Sequence, residues 1–220
     1  MVIPLAFLWC GLYTDVMIDE PRTFDCPNCG AELSTRLRST KLVACDYCDS
    51  NVFLEDDAVR LAGKQGVMAE HPSILKLHQS FTYRAWDFMP IGVARFDYGQ
   101  GFWDEWWVLG GDGEGRWISV DEGDFALEEP IEIDKTPSAF ELVPGRAIQL
   151  EGHDLYVTEK GKATCVAIKG ELPEALSVGD SYTYFHLSGE GGLLYTLEID
   201  RGRAAGHRGR WIDPFDIEAR

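Results

Sequence analysis

The sequence predicts a mainly β protein, in which an N-terminal zinc ribbon with four cysteine ligands precedes a duplicated antiparallel β body shaped as a small barrel or sandwich. Three observations support this fold class. Two Cys-x-x-Cys pairs lie near the start of the chain with fifteen residues between them, the spacing of a structural zinc site. From residue 74 onward, short apolar runs alternate with Gly, Asp and Pro clusters, as in all-β proteins. These runs also recur at a nearly constant offset.

The chain of 220 residues is long enough for one large or two modest domains. We expect a leader of uncertain structure over residues 1–21, the zinc ribbon over 22–54, a linker over 55–73, a first β unit over 74–140 and a second over 141–220. The apolar part of the leader is shorter than the roughly 20 residues of a membrane span, and it lacks the basic start of a signal peptide. No other segment is long and apolar enough to cross a bilayer.

The candidate metal ligands are Cys26, Cys29, Cys45 and Cys48. Four thiolates offer zinc a complete tetrahedral ligand set and leave no corner for water or substrate, which is typical of structural sites. The alternatives are a disulfide, a redox-active dithiol, or iron in the same sulfur cage. The sequence therefore predicts a structural Zn²⁺ ion, with Gly30 and Asp49 suited to a positive φ just after each pair.

Between the cysteine pairs, residues 31–35 and 41–44 are expected to pair as a hairpin, with a third apolar strand at 52–54. The tip of this hairpin carries Arg36, Arg38 and Lys41, a candidate contact for nucleic acid or another partner. In the linker, residues 56–61 are expected to form a short helix that glycines end.

The body contains nine candidate strands, separated by turn residues. The clearest is the last, where apolar residues from Leu193 to Ile199 alternate with Thr196, Glu198 and Asp200 on the other face. The candidates are Phe81–Arg84, Gly92–Asp97, Trp106–Leu109, Trp117–Val120, Ala147–Leu150, Leu155–Thr158, Thr164–Ile168, Tyr182–Leu187 and Leu193–Ile199.

The strands of the body repeat. One set of matches has an offset of 73 and a second has an offset of 78, with the extra residues between positions 168 and 182. This pattern predicts two copies of one β unit that pack together. The matches are Leu77, Tyr83, Val93 and Ala94 with Leu150, Tyr156, Val166 and Ala167, and Leu109, Gly111 and Trp117 with Leu187, Gly189 and Tyr195.

The densest aromatic segment includes Trp103, Trp106 and Trp107. Alternation makes this strand apolar on both faces, and such strands are usually buried between layers, so a core role is favoured. The alternative is a ligand or partner surface formed by Trp103, Asp104, Glu105 and Trp107, because carboxylates beside aromatic rings suit a cation such as a polyamine.

Charge excludes some functions. The formal net charge of −17 disfavours nonspecific binding to nucleic acid. An acidic run over residues 121–134 contrasts with a basic stretch over 201–210, and we expect the two to meet within the chain or between subunits, which allows self-association. The cysteine pattern predicts a reducing compartment, and Cys165 is expected to be a buried, inert thiol.

The chain resembles the bacterial domain-of-unknown-function family numbered 4178, whose members often carry an N-terminal ribbon. The motifs are the two cysteine pairs, the segment Trp-Asp-Glu-Trp-Trp-Val-Leu over residues 103–109, Arg-Trp-Ile over 116–118 and Gly-Glu-Leu-Pro over 170–173. The resemblance covers most of residues 22–215. It implies a cytoplasmic bacterial protein and carries no established activity.

Three functions follow from this sequence. The first is a non-enzymatic binding or adaptor protein that contacts another protein. The second is a small-ligand protein or enzyme that uses a groove between the β units, and a deep polar pocket with perturbed carboxylates would favour it. The third is a nucleic-acid module acting through the ribbon tip. No nucleophile elbow or catalytic dyad is visible, so enzymatic activity is not the expectation.

Overall fold

The computed structural model describes residues 22–55, 58–69, 72–138, 140–200 and 203–219. Nearly all regular structure in these residues is β, which confirms the predicted fold class. The predicted leader lies outside the described residues, and no helix within them is long and apolar enough to cross a membrane. Two 3-10 turns span Glu190–Gly192 and Pro214–Asp216. The strands are β1 Thr23–Asp25, β2 Glu32–Ser34, β3 Leu42–Ala44, β4 Ser50–Glu55, β5 Ala58–Lys64, β6 Phe81–Tyr83, β7 Trp86–Asp97, β8 Phe102–Gly110, β9 Gly115–Asp121, β10 Asp124–Ile131, β11 Ala147–Leu150, β12 His153–Leu172, β13 Ser181–Gly189, β14 Leu193–Asp200, β15 Arg203–Ile212 and β16 Ile217–Ala219.

Each cysteine pair forms the turn of its own hairpin. β1 pairs with β2 and β3 pairs with β4, both antiparallel. The Cys26 N–H donates to the Ala31 carbonyl and the Cys45 N–H donates to the Ser50 carbonyl, each at 2.8 Å. The predicted hairpin between residues 31–35 and 41–44 is therefore wrong, because the tight turn at each cysteine pair brings its own flanking strands together.

The segment after β4 is a strand and not the predicted short helix. β5 pairs antiparallel with β4 and places Arg60 opposite Phe53 and Leu61 opposite Val52. This pairing satisfies the backbone groups along the edge of β4. A tertiary partner for the backbone outweighs a weak local helix signal.

Eight strands of the body close into a ring. Their order is β7, β8, β9, β10, β15, β14, β13 and β12, and β12 pairs back with β7. Of the two predicted architectures, the structure is the small barrel. The predicted strands 155–158 and 164–168 are parts of the single long strand β12, and the acidic and basic stretches form β10 and β15, which were not predicted as strands.

The barrel consists of two similar halves. Each half begins with a short strand, β6 or β11, that pairs with a long strand, and three further strands follow. The offset of 73 relates Val93 in β7 to Val166 in β12, but it fails earlier, because Tyr83 lies in β6 and Tyr156 lies in β12. The extra residues fall where the sequence predicts them, in the loop 173–180 between β12 and β13.

Strands of the barrel turn the buried carboxyl groups inward, beside inward aromatic residues such as Phe96 and Trp117, and turn further apolar side chains outward. On β14, Tyr195 and Leu197 belong to an outer apolar cluster, whereas Thr196 and Glu198 face the interior. Leu142 and residues of β11 pack on that cluster, and β6 and β16 contribute to a second one. These outer apolar clusters bury one face of the barrel strands, and the other face surrounds a cavity with polar groups in its wall.

The ribbon packs directly against the barrel. β3 pairs with the end of β12, and the Arg36 backbone N–H and guanidinium donate to the carboxylate of Glu171 at 2.7 and 2.8 Å. The Gln65 side chain donates to the Cys45 carbonyl at 3.0 Å, and the Ile168 N–H donates to the Gln65 carbonyl at 2.8 Å. One buried residue therefore joins the second cysteine pair to the barrel wall.

The Gly-Glu-Leu-Pro motif is the junction of these parts. Gly170 has a φ of 74°, and a Cβ there would overlap the carbonyl oxygen of Ile91 on β7, so glycine is required for close approach. Glu171 then accepts the hydrogen bonds of the ribbon, and Leu172 lines the barrel cavity.

Candidate functional sites: a cysteine cluster and an acidic cavity

The four predicted metal ligands converge on one point. Their sulfur atoms all lie within 4.8 Å of one another, with Cys26 and Cys48 at 3.8 Å and Cys29 and Cys45 at 3.8 Å. Two thiolates on a tetrahedral zinc ion, each bound at about 2.3 Å, lie roughly 3.8 Å apart. None of the four is in a disulfide, so the cluster has the geometry of a metal site and excludes the disulfide alternative.

The turns around the cluster prepare the sulfurs for a cation. Gly30 has a φ of 74° and Asp49 has a φ of 56°, as predicted. The Asn28 side chain donates to the Ser50 hydroxyl at 3.1 Å and links the two turns. Hydrogen bonds from Ser50 and Asn28 lower the pKa of the Cys48 thiol to about 6, which favours the thiolate that metals bind. The pKa of Cys45 is raised by burial and that of Cys29 is also raised, so a bound cation would have to displace the protons of these two thiols.

The tryptophan-rich strand β8 is buried on both faces, as predicted. Trp103 and Trp107 belong to one core cluster, and Trp106 and Val108 belong to another on the opposite face. The exposed fraction is 7% for Trp106 and 5% for Trp107. The rings therefore build the wall of the barrel.

The two carboxylates of this segment have different surroundings. Asp104 forms a buried ion pair with Arg95, with oxygen–nitrogen distances of 2.7 and 2.9 Å. Glu105 points to the opposite face, lines the cavity and accepts a hydrogen bond from the Trp103 indole at 2.9 Å. Of the four residues in the predicted ligand surface, Glu105 lines the barrel cavity.

One cavity lies inside the barrel and has a volume of about 590 Å³. Small-molecule sites typically measure roughly 300–1,000 Å³. All eight barrel strands contribute to its wall, and the loop 173–180 borders one end. No lysine or arginine is among the described residues that line it. Its acidic residues are Glu105, Glu128, Glu174, Asp180 and Glu198.

Burial raises the pKa of these glutamates. The pKa of Glu198 rises to about 8, because burial disfavours its charge and the nearby charges of Glu174 and Glu128 add to the effect. Burial raises the pKa of Glu105 well above its usual value, and the charges of Glu128 and Glu198 contribute. The pKa of Glu128 is raised by burial, although this residue accepts a hydrogen bond from Thr196 at 2.8 Å. Without a bound cation, these glutamates therefore favour the protonated form, and they could release their protons when a cation binds.

A neutral histidine lies beside these carboxyl groups. His207 is 7% exposed, lines the cavity and pairs across the sheet with Thr196. Burial lowers its pKa to about 4. Within the described part of the chain its side chain makes no hydrogen bond, so the ring can accept or donate one to a ligand.

The predicted basic tip lies next to the barrel. Arg36 is ion-paired with Glu171 at 2.8 Å, and Arg38 is exposed in the turn before β3. The positive charge of Lys41 partly offsets the effect of burial on the pKa of Glu174, which remains raised. The ribbon therefore places a positive charge within electrostatic reach of the acidic cavity.

The acidic and basic stretches meet within the chain, as one of the two predictions states. β10 and β15 are antiparallel neighbours, with Glu129 opposite Arg208 and Glu128 opposite Gly209. Glu128 is turned inward to the cavity. A run that is acidic in sequence thus supplies both the surface and the interior of the barrel.

Sequence reasoning missed most of the cavity residues. Alternation along β14 places Glu198 on a polar face, and that signal was present in the sequence. Glu128 and His207 carry no such signal, because their strands were not predicted and their inward direction depends on ring closure. Glu174 lies in the extra loop, whose position over the cavity depends on the barrel.

Comparison with known proteins identifies the family alone. No curated protein and no solved structure is significantly similar to the chain. A family model with the description "Domain of unknown function (DUF4178)" matches residues 76–214, which is more than half of the 220 residues and includes the whole barrel ring. The chain therefore belongs to the DUF4178 family.

Proposed function

We propose that this protein binds a small organic cation of the polyamine class inside its barrel. The observation that carries this function is the cavity inside the barrel, which several glutamates line and in which no described lining residue is lysine or arginine. An ammonium group that enters would stabilise the ionised carboxylates, and the protons would leave to solvent. The aromatic wall supplies apolar surface for the methylene segments of such a ligand.

An extended cation fits this cavity better than a compact metal ion. In the described part of the chain, the cysteine cluster is the one group of three or more ligating side chains whose donor atoms converge within 4.8 Å. The cavity carboxylates are spread over β8, β10, β14 and the loop 173–180. A ligand with several separated amino groups can contact dispersed carboxylates, whereas a metal ion needs its ligands at one point.

The cysteine cluster has a structural role in this proposal. Four thiolates fill a tetrahedral zinc site and leave no position for substrate, so Zn²⁺ would hold the ribbon in the shape that packs on β12. The free cysteines fit a reducing compartment, and we place the protein in the cytoplasm.

Calorimetric titration with spermidine at pH 8 tests the function. We expect binding by the wild type, and Glu198→Gln and Glu128→Gln should each weaken it about tenfold or more, because each removes a buried countercharge. Glu218→Gln, at an exposed position in β16, is the matched control and should bind like the wild type. Titrations in two buffers with different ionisation enthalpies should reveal proton release.

Two results would contradict the proposal. One is the absence of heat at millimolar spermidine and at millimolar putrescine. The other is binding that the two cavity variants and the Glu218→Gln control weaken equally, since that would locate the amine on the acidic surface. Titration with Mg²⁺ as a separate arm shows whether the cavity prefers a compact cation.

Contact with another protein through the ribbon is a second candidate function. Tyr47 lies within the second cysteine pair and is 77% exposed, and exposed aromatic side chains commonly anchor protein interfaces. Tyr47→Ala should abolish recovery of the partner from the native host while metal content and spermidine binding stay unchanged. Recovery of the same partner in the same amount would exclude this role for Tyr47.

A further inference from the structure

A groove on the outer face of the barrel gathers four arginines of this acidic chain. Its volume is about 360 Å³, and β9, β15 and the turn between β6 and β7 supply its basic residues. Arg84, Arg116, Arg208 and Arg210 line it together with Trp86. The chain has 20 basic residues against 37 acidic ones, so four arginines in one concave site form a strong local exception.

Two of these arginines are already positioned by the protein. Arg116 is held by Asp112 at 2.7 and 3.0 Å and by Glu129 at 2.9 Å, and its side chain is 16% exposed. The guanidinium of Arg84 lies 5.2 Å from the centre of the Tyr83 ring. Ordered side chains lose less conformational entropy on binding than free ones do.

The other two arginines have no acidic partner within the described residues. Arg208 and Arg210 occupy alternate positions of β15, so both point to the same face. They are exposed, and the cavity residue His207 on the same strand points the opposite way. Glu129 lies opposite Arg208 and lines the groove, but its carboxylate is bound by Arg116 at 2.9 Å. The guanidinium groups of Arg208 and Arg210 match the oxygen pairs of a phosphate group.

An exposed aromatic surface completes the groove. Trp86 is 54% exposed, although most other large aromatic residues of the barrel are buried. It begins β7, directly after the turn in which Arg84 adopts a φ of 55°. A flat indole beside a phosphate-binding pair can stack on a planar base.

We propose that this groove binds a nucleoside phosphate, with the phosphate on Arg208 and Arg210 and the base on Trp86. The negative net charge of the whole chain opposes binding of a long nucleic acid, whose phosphates extend over the acidic surface. A single nucleotide avoids this repulsion, because charges beyond about 8 Å are screened at physiological salt. The small volume of the groove also favours one nucleotide.

Calorimetry with AMP, pyrophosphate and adenosine on the full chain tests this site. We expect AMP to bind more tightly than either fragment. The double variant Arg208→Gln/Arg210→Gln should weaken AMP and pyrophosphate about tenfold or more, whereas Trp86→Ala should weaken AMP about tenfold and leave pyrophosphate unchanged. Arg60→Gln, an exposed arginine of β5 outside the groove, is the matched control and should bind AMP like the wild type.

Three outcomes would overturn the proposal. These are no AMP heat at millimolar concentration, equal AMP binding by the wild type and the double arginine variant, and pyrophosphate binding as tight as AMP binding with no effect of Trp86→Ala. Near-UV circular dichroism verifies that each variant keeps the fold. Glu198→Gln should bind AMP normally, which separates this groove from the cavity inside the barrel.

Discussion

Cys45→Ser is expected to release the bound metal and to unfold the ribbon over residues 22–54. Cys45 has an exposed fraction of 0%, so a serine there leaves an incomplete ligand set in a buried position. Structural zinc contributes roughly 10–16 kcal/mol to the folding of small zinc modules. The apolar cluster of the ribbon is small and includes two of the cysteines themselves, Cys26 and Cys45, so it cannot replace that contribution.

Elemental analysis and hydrogen exchange measure this loss. The wild type should contain one zinc ion per chain, and the variant should contain close to none and exchange its ribbon amides rapidly. Exchange should also rise at Ile168, because its N–H donates to Gln65, which in turn binds the Cys45 carbonyl. Chelation of the wild-type metal should produce the same pattern.

Cys165→Ser is the matched control for this experiment. Cys165 is also fully buried, but it lies in β12 outside the cysteine cluster. The control should lose some stability and retain its full metal content. A Cys45→Ser protein with one zinc ion per chain would show that these sulfurs do not share the metal, and iron in place of zinc would correct the identity of the ion.

Glu198→Gln is expected to stabilise the protein at pH 8 and to flatten the pH dependence of its stability. The pKa of Glu198 is raised to about 8 by burial and by nearby Glu174 and Glu128. Between its ordinary pKa and pH 8 the folded state therefore holds a proton that the unfolded state has lost. The stability due to this proton is complete at low pH and disappears as the pH rises through about 8. Glutamine is neutral throughout, so the variant should be more stable than the wild type at pH 8, by up to about 4 kcal/mol for a pKa raised from 4.5 to about 8.

Urea unfolding at pH 5 and pH 8.5, without added amine, measures this effect. The wild type should lose more stability than Glu198→Gln between the two pH values. Glu218→Gln removes a carboxylate at an exposed position of β16 and should follow the wild type. Equal slopes for the wild type and Glu198→Gln would show that Glu198 is ionised in the folded protein. Spermidine should restore the high-pH stability of the wild type more than that of the variant, since it binds the ionised form.

Local signals in the sequence were enough to predict the cysteine cluster and most of the strands. The spacing of Cys26, Cys29, Cys45 and Cys48 predicts one converging site, and their sulfurs converge. The two-sided apolar pattern around Trp106 predicts a buried strand, and β8 is buried on both faces. Both patterns are short-range, because the geometry of a turn or of one strand determines them.

Strand pairing could not be predicted from the same signals. The segments 31–35 and 41–44 have the pattern of a hairpin, yet each pairs across its own cysteine turn. Residues 58–64 resemble a helical connector, yet they extend the sheet beside β4. In each case the partner strand, which local pattern does not specify, provides the backbone hydrogen bonds that decide the structure.

The sequence alone determined that this chain would be a β protein with a tetracysteine module and a duplicated body. Only the tertiary structure decided that the body closes into a ring, and closure turns Glu105, Glu128, Glu198 and His207 toward one cavity. These residues lie on β8, β10, β14 and β15, far apart in the chain. The physical reason is that alternation assigns a side chain to one of two faces, but the pairing of β7 with β12 determines which face becomes the inside.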